Sequence, residues 1–269
     1  MTVIDMSRLL SQRARPDAVR FRGQRSRTAR AARNRFIRKE YDVELAWFRK
    51  PNGDDDGTLN LTYNILDLPV IRGRAGDTAV TGTTELDFAR LLEQVGALAG
   101  AFRGLGVTPG QQVAVRLGDP LRELIALLAT LRIGATFVVI ESDSDLGGDL
   151  LGNASRSAPA LLVTDSLTGF GDMLPEAVIV SGIEPQDPTR DVAWEVVLKA
   201  GRTDPAGCEP VTPGATAYVA ETPVRTIDAP TDPSRIGAIL ATLLAGDAVH
   251  LDAPRADDRA QFDNDGDAR

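Results

Sequence analysis

Two hydrophobic rhythms alternate along the chain from Leu59 onward. Between Thr84 and Leu105, the residues Phe88, Leu91, Leu92, Val95, Leu98, Phe102 and Leu105 recur at three- and four-residue steps, the period of an amphipathic helix. Thr84 with Asp87 predicts a capping-box start, and Gly104 or Gly106 a left-handed stop. The apolar run over Gln112 to Leu117 predicts a strand. Asp119 and Pro120 are the residue types favoured at the N-cap and first position of a helix, which is predicted to run through Leu124, Ile125, Leu128 and Leu131 and to stop at Gly134. Ala135 to Ile140 is apolar almost throughout, as in a strand covered on both faces.

A strand, a helix and an apolar strand in that order form the right-handed crossover of a parallel sheet. The same reading predicts a weaker helix over 145–157 and strands at Ala160 to Thr164, Ala177 to Val180 and Thr216 to Ala220. A helix from Ser234 to Ala245 ending at Gly246 and a last strand at Ala248 to Leu251 follow. The expected fold class is α/β, a partial parallel sheet with a mixed edge, flanked by helices.

Charge divides the chain further. Residues 1–50 carry 14 Arg and Lys against 5 Asp and Glu, while the whole chain has a net charge of -8. Within 8–39 the only acid is Asp17. Such a block repels itself and attracts polyanions. The expected organisation is a basic arm at 1–40, an α/β domain at 41–255 and an acidic tail at 256–269. An Arg-rich start also fits an organelle transit peptide, whereas no apolar h-region of a secretory signal follows the first charges. A bacterial cytoplasmic protein is expected. No apolar stretch approaches the roughly 20 residues of a membrane helix. The single cysteine, Cys208, and single histidine, His250, argue against internal disulfides, multi-cysteine zinc sites and histidine-rich metal centres.

The stretch TELDFARLLEQVGALAGAFRGLGVTPGQQVAVRLGDPLRELIALLATLRIGATFVVI, Thr84 to Ile140, resembles the N-terminal part of the AMP-forming acyl-CoA synthetase and adenylation superfamily. AWF with LNLTYNILDL, through Leu68, is similar to the entry segment of its acetyl- and propionyl-CoA synthetase branch, and ALLVTD, Ala160 to Asp165, extends the match. The resemblance implies a sheet scaffold and, for a complete member, conversion of ATP and a carboxylate to an acyl-adenylate and then a CoA thioester. It also implies a phosphate loop of the YTSGTTGKPKG kind, in which glycines let backbone donors approach phosphate and lysine offsets its charge.

The matching position here reads GATAYVAETPVRTIDAP, Gly214 to Pro230. Tyr218 stands for the first aromatic residue. Glu221 falls where glycine is expected, and neither glycine nor lysine follows; Arg225 offers a charge in place of the lysine. Neither the later adenine, ribose and acyl-pocket motifs, nor an RGGK-like CoA segment, nor the mobile domain with its catalytic lysine is recognised. The expectation is therefore a chain that is not an enzyme, with no catalytic, cofactor-binding or metal-binding residue assigned and no cofactor.

Other chemistry is weak. Gly104, Gly106 and Gly110 follow a helix, so they predict a stop and turn rather than a dinucleotide loop. Ser181-Gly182 lacks the first glycine of a nucleophile elbow. Asp54 to Asp56 between Gly53 and Gly57 predict a solvated turn. Glu141, Asp143 and Asp145 follow a parallel strand, where magnesium binding is weighed against Asp143 or Ser144 capping a helix. His250 predicts a surface or core histidine, and DNDGD at 263–267 a solvated tail.

A partial sheet predicts exposed apolar surface, for example on Leu121, Leu124 and Leu128 or along the last sheet edge. The leading expectation is a noncatalytic scaffold or regulatory subunit of a hetero-oligomeric protein complex. Its partner-binding residues would be Arg20, Arg22, Arg25, Arg27, Arg30, Arg33, Arg35 and Arg38 of the arm, with Trp47 and Phe48. A homo-oligomer is the other way to cover such faces. The alternatives are one half of a split ATP-dependent acyl-CoA ligase and a module that binds nucleic acid or an anionic surface through the arm.

Overall fold

The computed structural model describes residues 45–140, 158–170, 174–219 and 224–252. The basic arm, the helix expected over 145–157, the acidic residues Glu141, Asp143 and Asp145, Glu221 and the tail lie outside the described residues.

The chain opens with a short pair, β1 (Trp47–Arg49) and β2 (Thr58–Leu59), then a π-helical turn, Tyr63–Asp67, that runs into α1 (Leu68–Ile71). Next come β3 (Thr78–Gly82), β4 (Leu86–Asp87), α2 (Phe88–Gly104), β5 (Gln112–Arg116), α3 (Pro120–Arg132) and β6 (Thr136–Val139). After these lie β7 (Leu161–Thr164), β8 (Val178–Val180), β9 (Asp191–Ala193), α4 (Trp194–Gly201), β10 (Thr216–Val219), β11 (Arg225–Thr226), α5 (Arg235–Ala245) and β12 (Val249–Leu251). Seven strands form one sheet in the order β11-β10-β6-β5-β7-β8-β9, parallel throughout except for the antiparallel β10–β11 pair. β12, β3 and β4 make a separate three-stranded sheet. The mixed-edge α/β class read from the sequence is therefore correct.

Local signals act as their chemistry requires. Asp119 Oδ1 accepts from the backbone N–H of Leu121 and Arg122 at 2.9 and 3.2 Å, Pro120 stands in the first turn, and Gly134 at φ +70° follows the end of α3. Gly106 at φ +92° closes α2, with Val107 N–H donating to the Phe102 carbonyl at 3.0 Å. The start of α2 differs from expectation. Its cap is Asp87 itself, which accepts from Arg90 N–H at 2.7 Å, because Leu86 and Asp87 are held extended as β4 against β3. Thr84 takes no part in that cap.

The expected apolar face is also corrected. Leu124 and Leu128 are 2% and 0% exposed, and Leu121 is half-buried against the core. The reason lies in two coverings of α3: α2 packs along it, and Thr62 in the segment before α1 donates to the Leu128 carbonyl at 2.8 Å. Asn60 Nδ2 reaches the carbonyls of Leu131 and Arg132 at 3.0 Å and that of Glu209 at 2.9 Å, tying two distant segments to the end of this helix. Of the four large apolar side chains exposed among the described residues, Phe48, Ile71 and Val196 sit on separate elements and Val224 just before β11.

Candidate functional site

Open parallel sheets bind ligands outside the carboxyl ends of their strands, at the point where the strand order reverses. Here that point is the end of β5, since β6 lies on one side of it and β7 on the other. Asp165, just after β7, reaches this crevice and accepts from Gly118 N–H at 2.7 Å, closing the β5–α3 turn with a carboxylate. Arg122, in the first turn of α3, donates to Ser181 Oγ at 2.6 Å and Glu195 Oε1 at 3.0 Å and lies over the Trp194 ring at 5.6 Å. Next to Arg122 in sequence, the buried Glu123 takes two bonds from Arg235 of α5, at 2.9 and 2.5 Å. Ser181 Oγ is thus an acceptor for arginine, and among the described residues no base is bonded to it.

The second element is the β10–β11 hairpin. Tyr218 pairs with Arg225 across it, so residues 219–224 are all that connect the last pair. Arg225 Nε donates to Asp232 Oδ2 at 2.6 Å. The Tyr218 hydroxyl lies 2.9 Å from the Pro230 carbonyl and 3.1 Å from Asp232 Oδ1, and Ser234, the N-cap of α5, donates to the same carboxylate from its backbone N–H at 3.1 Å and from its hydroxyl. Burial alone would raise the Asp232 pKa, but the bonds from Ser234, Arg225 and Tyr218 outweigh it and hold the group below the usual carboxylate range. Burial, reinforced by the Asp232 charge, pushes the Tyr218 phenol up to about 12. The phenol therefore stays protonated at neutral pH, and the cation at 225 is committed to an internal partner.

The remaining sequence candidates resolve simply. Trp47 is half-buried against the core, opposite Leu59, whereas Phe48 is 43% exposed and its ring centre is 4.9 Å from that of Tyr63. Arg20, Arg22, Arg25, Arg27, Arg30, Arg33, Arg35 and Arg38 lie outside the described residues. The acidic turn is organised by Asn52, whose side-chain oxygen accepts from Asp54 and Asp55 N–H, and Asp55 pairs with Arg49 at 3.0 Å. Among the described residues there is no cluster of three or more His, Cys, Asp or Glu able to hold a metal. No helix among them is long and apolar enough to cross a membrane. His250 is exposed in β12, between Thr81 Oγ1 at 3.1 Å and Asp252 at 3.4 Å. Sequence reasoning missed Asp232; the only signal was its place two residues before a Ser N-cap, in Asp-Pro-Ser.

A family model described as AMP-binding enzyme matches residues 70–235, more than half of the chain. The chain belongs to the AMP-binding enzyme family. An uncharacterized protein of Pseudomonas aeruginosa is 29% identical over 219 residues, covering 65% of this chain and 34% of the relative. The acetyl-coenzyme A synthetase of Streptomyces coelicolor is 31% identical over 158 residues, covering 56% of this chain and 24% of the synthetase. Among solved structures, an acetoacetyl-CoA synthetase from Streptomyces lividans aligns with a TM-score of 0.59 at 20% identity, covering 82% of this chain and 44% of that one. That likeness establishes the fold, and the recognised acyl-CoA synthetase superfamily is correct. This AMP-binding family chain spans about a third or less of the length of these curated relatives.

Proposed function

We propose that this AMP-binding family protein is noncatalytic and acts as a cytoplasmic scaffold or regulatory subunit, docking on an acidic face of a protein partner through its basic arm at 1–40. The observation that carries the reading is the β10–β11 hairpin. A loop that holds triphosphate needs backbone freedom, free donors and an uncommitted cation. The hairpin connection is shorter than a YTSGTTGKPKG loop, residues 220–224 are Ala, Glu, Thr, Pro and Val, and Arg225 is bound to Asp232. In the sequence, Glu221 stands where the resembled loop has glycine, and a carboxylate beside triphosphate repels it.

The docking half of the reading is supported by charge: 14 basic residues within 1–50, against an acidic remainder. ATP–pyrophosphate exchange, measured with acetate, propionate and acetoacetate, tests the noncatalytic half, since acetyl- and acetoacetyl-CoA synthetases are among the proteins this chain is similar to. No exchange is expected from the chain alone. Exchange that appears only after a second chain is added would instead make it one half of a split ligase. A pull-down comparing the full chain with one lacking residues 1–40 tests the docking half: a stoichiometric protein partner lost with the arm supports it, and nuclease-sensitive nucleic acid in its place overturns it.

A further inference from the structure

We propose that the Asp232 carboxylate is the tethered occupant of an oxyanion seat built by Arg225, Tyr218 and Ser234, an internal ligand that keeps this seat from taking a free carboxylate or phosphate. The inference goes beyond the proposed function and stands on the geometry of the seat, whether or not the chain turns over ATP.

The donors converge from three separate elements: Tyr218 from β10, Arg225 from β11 and Ser234 from the cap of α5. Asp232 belongs to none of these and reaches in from the connection between β11 and α5. One carboxylate oxygen takes the guanidinium bond at 2.6 Å; the other takes the Ser234 backbone N–H at 3.1 Å and the serine hydroxyl, and shares the Tyr218 phenol proton, 3.1 Å away, with the Pro230 carbonyl at 2.9 Å. This is two-oxygen recognition of an anion by a guanidinium, two hydroxyls and a backbone amide, at the positive end of an eleven-residue helix. The Asp232 side chain is only 10% exposed, so the seat is screened from water.

A separate feature shows how closely the seat is shaped around its occupant. Gly237, in the first turn of α5, faces Asp232, and a Cβ at 237 would stand 2.5 Å from the Asp232 nitrogen and 2.6 Å from its carbonyl oxygen, and would overlap Oδ1. The bare backbone at 237 admits both the main chain of residue 232 and its carboxylate. Truncating Asp232 to alanine removes one carboxylate group while keeping its Cβ, leaving a vacancy the size of formate beside an arginine that has lost its counter-charge.

The test is a thermal melt of Asp232→Ala titrated with sodium formate and, separately, with inorganic phosphate, at ionic strength held constant with chloride. The variant is expected to melt below the wild type, and formate to raise its midpoint saturably by about 2–4 °C, as binding to the folded state requires. Wild type should respond to formate no more than to chloride, and Arg225→Ala combined with Asp232→Ala should lose the response. A parallel response to phosphate would extend the ligand class to phosphates, and a response to formate alone would confine it to carboxylates. Equal midpoints of Asp232→Ala in formate and chloride, or an equal formate shift in wild type, would overturn the proposal. If Asp232→Ala does not fold in chloride, refolding in formate is the readout: recovery of the native signal supports the seat, and no recovery while Asp232→Asn folds in the same buffer overturns it.

Discussion

The Arg132 guanidinium meets the Asp67 carboxylate through two bonds, at 2.6 and 3.0 Å, with the two side chains 8% and 19% exposed. Its Nε donates to the Ala206 carbonyl at 2.7 Å, so this one side chain at the end of α3 holds both the segment before α1 and the segment after α4. Breaking such a pair strands a charge in the interior. Asp67→Ala is expected to lower stability by about 3–5 kcal/mol in urea unfolding. A loss below about 1 kcal/mol would mean that the pair behaves as a surface contact.

Cys208 sits beside the same pair, its sulfur 3.5 Å from Asp67 Oδ2. Burial first, and then the Asp67 carboxylate, pushes its thiol up to about 12, against the opposing pull of Arg132. Only the thiolate attacks a disulfide reagent. The native protein at pH 8 should therefore leave Cys208 unlabelled over a period in which the urea-unfolded chain reacts stoichiometrically. Equal rates would show that the thiol ionises as readily in the folded chain as in the unfolded one.

Acid sensitivity has a named source in Asp191. Its side chain is fully buried and accepts from the backbone N–H of Gln186 and Asp187, each at 2.9 Å, and from Arg190 Nε at 2.6 Å. Burial opposes its ionisation, but these bonds win, and the carboxyl is held below its ordinary value. A lowered folded-state pKa adds stability above the unfolded value of about 3.9, and that stability is lost as pH falls through the folded value. Asp187 and Asp232 are shifted in the same direction. The melting midpoint should hold between about pH 7 and 5 and fall below about pH 4. Asp191→Asn should melt lower at pH 7 and lose less on acidification; an acid limb as steep as that of wild type would place the sensitivity elsewhere.

The parts of the fold legible in the sequence are those fixed by local chemistry. Asp119-Pro120 at one end and Gly134 at the other delimit α3 without any tertiary information, and the unbroken apolar run of β6 marks an interior parallel strand. The partners of strands that pair across long stretches of chain were not legible. β12 reads like one more strand of the large sheet, yet it pairs with β3, whose residues lie far earlier in the chain. The Thr84 cap failed for the same reason, because pairing with β3 keeps Leu86 and Asp87 extended.

The candidate site divides in the same way. The lack of glycine and lysine between Tyr218 and Pro230 is plain in the sequence, and so is the charge of the arm. That Arg225 is spent on Asp232, and that Leu124 and Leu128 are covered, depends on how α5, α2 and the segment before α1 pack. Arginine carries the same letter whether it faces a ligand or a neighbour. Only the geometry distinguishes the two.

The most direct test of the central claim is ATP–pyrophosphate exchange by the purified full chain, with acetate, propionate or acetoacetate and magnesium. The account predicts no exchange above that of a buffer blank at any of the three acids. Acid-dependent exchange by the wild-type chain, reduced by Arg225→Ala, would contradict it by showing that the short hairpin holds triphosphate after all.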